Sequence, residues 1–190
     1  MIENLFVASV LTEQLDIDNN KIKNYCYDVK NRKESVSLTN LGGWQSPPIS
    51  TNESSLKELF DAVGTSLCAL HTEFNFRNDK GFVIDNCWIN INGYGHSNSP
   101  HNHRGWTFSG VYYVQAEENC GDIVFMHPSS CHQYHYEDNP FKIKTIQHGS
   151  STVAYKPNTG KLIIMPSWLF HFVRPNLSTN DRISIAFDVI

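Results

Sequence analysis

No CxxC pair occurs in this chain, although it holds five cysteines (Cys26, Cys68, Cys87, Cys120 and Cys131). An odd count without that spacing argues against a disulfide framework and against a cysteine-type zinc site. A reducing compartment is the expected home. Basic charge is also short: 15 Lys and Arg stand against 19 Asp and Glu, a formal net charge of −4. Nothing in that balance recruits nucleic acid, which makes it the least supported class of ligand. No apolar run approaches the length of a membrane span. The opening MIENLFVASVLTEQLD has an acidic residue where a signal peptide carries positive charge. A cytoplasmic protein with no membrane partner is expected. Internal repeats and low-complexity tracts are missing as well.

What is present is globular: 40% hydrophobic and 18% charged residues over 190 positions. A chain of that length and composition buries a core without staples. One domain over residues 1–190 is expected. The sequence carries no signal for the oligomeric state.

The two parts of the chain differ in pattern. Residues 1–79 read as a helical part with a leading strand. NLFVASVL alternates loosely, as a strand does. Asp16 or Asp18 can then cap a helix whose apolar stripe is Ile22, Tyr25, Cys26 and Val29. SLTNLGGWQSPPIS reads as a loop, with Trp44 plugged onto the core. The clearest helix follows. Asn52 or Ser54 can cap it, and Leu56, Leu59, Phe60, Val63, Leu67, Leu70 and Phe74 form one apolar face. His71 falls on its more polar side. From residue 80 to 190 the pattern turns β: about eight short strands, bounded by Gly, Pro or Asn. The expected class is α+β, with N-terminal helices packed on an antiparallel sandwich or barrel. SSCHQYHYEDNPFKI, around residues 129–143, is the longest irregular stretch and reads as a polar substrate loop or lid. His127, His132, His135 and His148 cluster in or near it.

Chemistry concentrates in PHNHRGWTFSGVYYV, Pro100 to Val114. In an extended chain, residues i and i+2 point to one face. His101 and His103 are therefore neighbours, and neutral imidazole suits Fe, Zn, Cu and Ni. Nine histidines make a chance His-x-His not rare. A third histidine, His171, closes a distant apolar segment, MPSWLFHFVRPN. Three ligands from separate strands, with open positions left over, is the build of a catalytic metal site. Arg182 opens RISIAFDV eleven residues past His171, with Ser184 on the same face. An Arg facing a barrel interior is costly unless it meets an anion, and its fork suits a carboxylate. A small dicarboxylate would chelate the metal at one end and meet Arg182 at the other. The competing reading pairs Arg182 with Asp181 or Asp188 at the rim. Trp88, Asn90 and Asn92 share a face. If it is the inner one, Asn90 or Asn92 can hydrogen-bond the metal-side carboxylate; otherwise they are turn asparagines.

PHNHRGWTFSGVYYV and GKLIIMPSWLFHFVRPNLSTNDRISIAFDV resemble the 2-oxoglutarate- and iron(II)-dependent oxygenases of marine bacteria and phages. GGWQS, Gly42 to Ser46, resembles that family's N-terminal signature. The resemblance covers most of the chain and is densest from Trp88 to Val189. It implies a double-stranded β-helix of the jelly-roll, cupin-like kind. It also implies Fe(II), 2-oxoglutarate and O2, acting on an unknown prime substrate, in the host cytoplasm if the protein is phage-encoded. His101 and His171 would sit on the metal. Arg182, Ser184 and Tyr113 would hold the distal carboxylate of 2-oxoglutarate.

One position departs from the wider superfamily, whose facial triad is two His and one carboxylate with His-x-Asp at the first site. Here the second residue is His103. Either His103 ligates, or it stands aside, or a distant carboxylate such as Asp122 or Glu118 completes the set. The first reading is favoured because residue i+2 already faces the metal. Cupins share the fold and the spacings Gly95 to His101 and Gly160, Pro166, His171, but their Glu is missing here. A cupin-type three-His oxygenase or isomerase without 2-oxoglutarate is thus the second reading. A non-enzymatic β-sandwich binding or structural protein is the third.

Overall fold

The computed structural model describes residues 1, 7–77, 81–129 and 151–190. Its architecture follows from period-two strands whose two faces have different fates. A six-stranded antiparallel sheet carries, in order, β1 (Leu11–Gln14), β9 (Lys161–Pro166), β6 (Phe108–Gln115), β11 (Arg182–Val189), β4 (Ile84–Asn92) and β3 (Trp44–Gln45). A five-stranded sheet carries β2 (Asn40–Leu41), β5 (Ser97–His101), β10 (His171–Val173), β7 (Ile123–Met126) and β8 (Thr152–Tyr155). Two helices, α1 (Asn19–Arg32) and α2 (Lys57–Glu73), precede most of the strands.

β11 shows how one strand serves two layers. Ile183, Ile185, Phe187 and Val189 join the large core that also takes Ile22, Cys26 and Val29 of α1 and Leu59, Val63 and Leu67 of α2. Arg182, Ser184, Ala186 and Asp188, the alternate residues, line a cavity on the other face. β4 does the same, with Cys87, Ile89 and Ile91 in the helix-side core and Asn86, Trp88, Asn90 and Asn92 on the cavity. A smaller core joins the sheets, where Val111, Tyr113, Ile163 and Met165 of one meet Ile123 and Phe125 of the other. The cavity-facing asparagines are therefore inner-face residues, not turn residues.

The N-terminal part departs from expectation in its details. Residues 7–10 are outside any strand, and β1 begins only at Leu11, where pairing with Ile164 starts. Residues 4–6 of the predicted strand lie outside the described residues. Of the two predicted caps for α1, Asp18 acts, accepting from the backbone N–H of Asn20 and Lys21. Neither Asn52 nor Ser54 caps α2. Leu56 takes the cap position with no side-chain hydrogen bond and is fully buried. Burying a leucine is worth about 1.5–3 kcal/mol, against about 1 kcal/mol for a polar cap, so packing wins. The predicted loop at 37–50 contains β2 and β3, one added to an edge of each sheet. Trp44 does pack on the core, its indole N–H donating to the Lys33 carbonyl.

Gly110 marks the tightest strand contact. A Cβ there would lie 2.2 Å from the Phe187 ring, and that ring is wedged edge-on against Phe60. Gly110→Ala is expected to cost about 1–3 kcal/mol, the usual cost of overpacking. Urea unfolding should show a lower midpoint with unchanged slope. An unchanged midpoint would mean that Phe187 is free to move.

Candidate metal centre

Strand pairing within the five-stranded sheet brings the distant His171 to the His101/His103 pair. His101 ends β5 and His171 starts β10, and the two are direct cross-strand partners. His103 lies two residues beyond His101. Its backbone N–H donates to the Ser167 carbonyl at 2.8 Å, and the Ser167 hydroxyl donates to the Trp106 carbonyl. This lacing holds the turn after β5 against the loop after β9. Trp88 stacks on the His103 ring, centroids 5.7 Å apart.

One ligand atom from each of His101, His103 and His171 lies within 4.8 Å of the others. Each ring is oriented through Nδ1. His101 Nδ1 is 2.7 Å from the Ser99 carbonyl, and His171 Nδ1 is 2.9 Å from the Leu169 carbonyl. His103 Nδ1 is 2.9 Å from the Asp188 carboxylate. All three partners can only accept, so each Nδ1 carries the proton and each Nε2 keeps its lone pair for a metal. Burial and the neighbouring His101 push His171 down to about 3. Burial lowers His101 as well. Both rings are neutral at physiological pH, the form that ligates. This donor set fits iron(II).

The cavity beside the histidines, about 400 Å³, is also lined by Arg182, Ser184, Tyr113, Asn90 and Asn92. These five belong to one sheet face: Ser184 pairs with both Asn90 and Tyr113, and Arg182 pairs with Asn92. Arg182 is 2% exposed. Its Nη1 donates to the carbonyls of Cys120, Gly121 and Arg174. Its Nη2 is the one buried side-chain nitrogen or oxygen without a partner among the described residues. Burial works against its charge and lowers its pKa. Burial also raises Tyr113, which stays a neutral phenol. An orphaned, buried guanidinium nitrogen in a cavity fits a carboxylate, and so fits 2-oxoglutarate.

Several expectations are corrected. Arg182 pairs with neither Asp181 nor Asp188. Asp181 accepts from the Tyr27 hydroxyl, and Asp188 holds His103. Asp122 and Glu118 do not complete a triad, because Asp122 pairs with Arg174 and the exposed Glu118 with Lys156. His71, expected to stand apart from the site, does so, packing tilted against Phe76 and edge-on against Phe82. Of the loop histidines, His127 lies next to Ser129, whereas His132, His135, His148 and most of the predicted lid fall outside the described residues. The role of Asp188 was missed, although it shares strand parity with Arg182 and Ser184.

Two sheets with helices on one outer face and a histidine cluster lining the cavity define a double-stranded β-helix of the non-haem metalloenzyme kind. The family described as "Putative 2OG-Fe(II) oxygenase" matches residues 86–188. The chain belongs to that family, whose members are enzymes that use iron(II), 2-oxoglutarate and O2. No curated protein matches it in sequence. Solved structures share its fold. A prolyl-4-hydroxylase of Pseudomonas putida superposes with TM-score 0.60 at 12% identity, covering 97% of this chain and 94% of that one. HygX of Streptomyces hygroscopicus, with nickel and 2-oxoglutarate bound, gives TM-score 0.63 at 11% identity, covering 96% and 82%. A prolyl hydroxylase of Trichoplax adhaerens, in complex with a hypoxia inducible factor peptide fragment, gives 0.61 at 15% identity, covering 96% and 83%. Among the described residues, no helix is long and apolar enough to cross a membrane.

Proposed function

We propose that His101, His103 and His171 hold the iron through Nε2, and that Arg182 holds the distal carboxylate of 2-oxoglutarate. Ser184 and Tyr113 flank that carboxylate with hydroxyl groups, Asn92 lies at the same end, opposite Arg182, and Asn90, one step along the inner face, lies nearer the metal-side carboxylate. The observation that carries this reading is the unpartnered Nη2 of Arg182, buried in the cavity that the three histidines line. Iron(II) with 2-oxoglutarate and O2 supplies oxidative decarboxylation of the cosubstrate, coupled to oxidation of a second substrate. The chain's own part is positioning. Carbonyls of Ser99 and Leu169 and the carboxylate of Asp188 hold the imidazoles in the ligating tautomer. Trp88 and the inner face of β4 wall the cavity against water.

The second substrate is oxidised in a hydroxylase-like reaction, in line with the hydroxylases among the structural neighbours. We read residues 1–190 as one domain, since both sheets recruit strands from the N-terminal part, and we place the enzyme in the cytoplasm. The test is the visible charge-transfer band of the anaerobic iron(II) protein on addition of 2-oxoglutarate. A saturable band is expected. Iron bound stoichiometrically with no band would favour the cupin-type three-His reading.

A further inference from the structure

We propose that Asp188 restores, one layer out, the carboxylate that the metal centre lacks in its own ligand set, and acts on the metal through His103. This rests on the three-histidine reading above. The ordinary facial triad places one carboxylate on the metal. Here three neutral imidazoles would leave a divalent ion one charge unit more positive. Asp188 removes that difference without touching the metal. Its Oδ1 is 2.9 Å from His103 Nδ1, and its side chain is 2% exposed. Ser109 donates its hydroxyl to the same oxygen at 2.6 Å. Two donors on one oxygen identify Asp188 as an acceptor, and Ser109 fixes the direction from which it meets the imidazole.

The three rings are not held alike. His101 and His171 give their Nδ1 protons to neutral carbonyls, and only His103 gives its proton to a carboxylate. His103 occupies the place where the superfamily carries its acid. A carboxylate bonded to a ligating imidazole makes the opposite nitrogen more basic and sets ring orientation. Trp88, stacked on a face of the same ring, fixes its plane. Backbone pairing sets the geometry: Asp188 lies opposite Ser109 in the β11–β6 ladder. Asp188 is therefore a positioning residue, one that sets ligand strength and charge.

The test uses full-length protein under anaerobic conditions, with Co(II) and Fe(II) as probes and no 2-oxoglutarate. Asp188→Asn keeps an oxygen to accept from His103 and removes the charge. It should bind both metals about tenfold to a hundredfold more weakly, the usual cost of losing an outer-layer partner. The Co(II) ligand-field bands should shift, and the iron(III)/iron(II) potential should rise. The double variant His103→Asp/Asp188→Asn moves the acid onto the metal. It should recover affinity beyond Asp188→Asn alone and melt higher than His103→Asp alone, which leaves two carboxylates side by side. If wild type binds neither metal, the three-histidine reading fails. If wild type binds and Asp188→Asn matches it in affinity, spectrum and potential, this inference is overturned while that reading stands. Should Asp188→Asn not fold, the double variant decides: failure to bind Co(II) would overturn the inference.

Discussion

His171→Ala is expected to abolish tight iron binding. His171 is 4% exposed, pairs across strands with His101 and stacks near His103. Its loss should exceed the tenfold to hundredfold penalty of losing an outer partner, because a coordinate bond is lost outright. Metal analysis of anaerobically purified protein is the readout. Full iron stoichiometry in the variant would sink the assignment. The metal-free protein carries a second signature. The folded-state pKa of His171, about 3, lies below the unfolded value near 6.5. The folded state thus binds fewer protons, and stability is greatest above 6.5 and falls as pH drops toward 3. His171→Ala should flatten that acid limb in metal-free denaturant titrations, even though its stability at neutral pH is lower.

Arg182→Ala should weaken 2-oxoglutarate binding sharply while iron stays bound. A charge-assisted pair in a dry pocket costs about 2–5 kcal/mol when one partner is truncated, on the order of 30-fold to several thousand-fold in affinity. The guanidinium makes no contact with the histidines, so iron stoichiometry should hold. Arg182 also ties the carbonyls of Cys120, Gly121 and Arg174 together. The variant should therefore melt lower as well, which makes the titration midpoint, not activity, the proper readout. Arg182→Lys should recover part of the affinity, since a point charge cannot replace the fork. If the charge-transfer midpoint does not move, the carboxylate is held elsewhere. Arg104 is then the candidate, because it lines the same cavity. Arg174 is engaged by Asp122, and the Lys161 ammonium donates to the Lys156 carbonyl.

Much of this protein was legible in one dimension because strand periodicity is a local property. RISIAFDV assigns Arg182, Ser184 and Asp188 to one face and Ile183, Ile185 and Phe187 to the other, whatever the rest of the chain does. His101 and His103, two residues apart, were bound to be neighbours. The apolar stripes of α1 and α2 were equally plain. What periodicity leaves open is which face is inner and which strands pair. Only the tertiary ladder sets His171 opposite His101, across 70 residues of sequence. Tertiary packing of the six-stranded sheet against the turn after β5 places Asp188 on His103 instead of Arg182, leaving the guanidinium with an open nitrogen. It also let Leu56 displace a polar cap on α2, because burial against the sheet outweighs one hydrogen bond. The residue types and their faces belong to the sequence. Their partners belong to the fold, because a side chain's hydrogen bonds are decided by whatever strand is laid beside it.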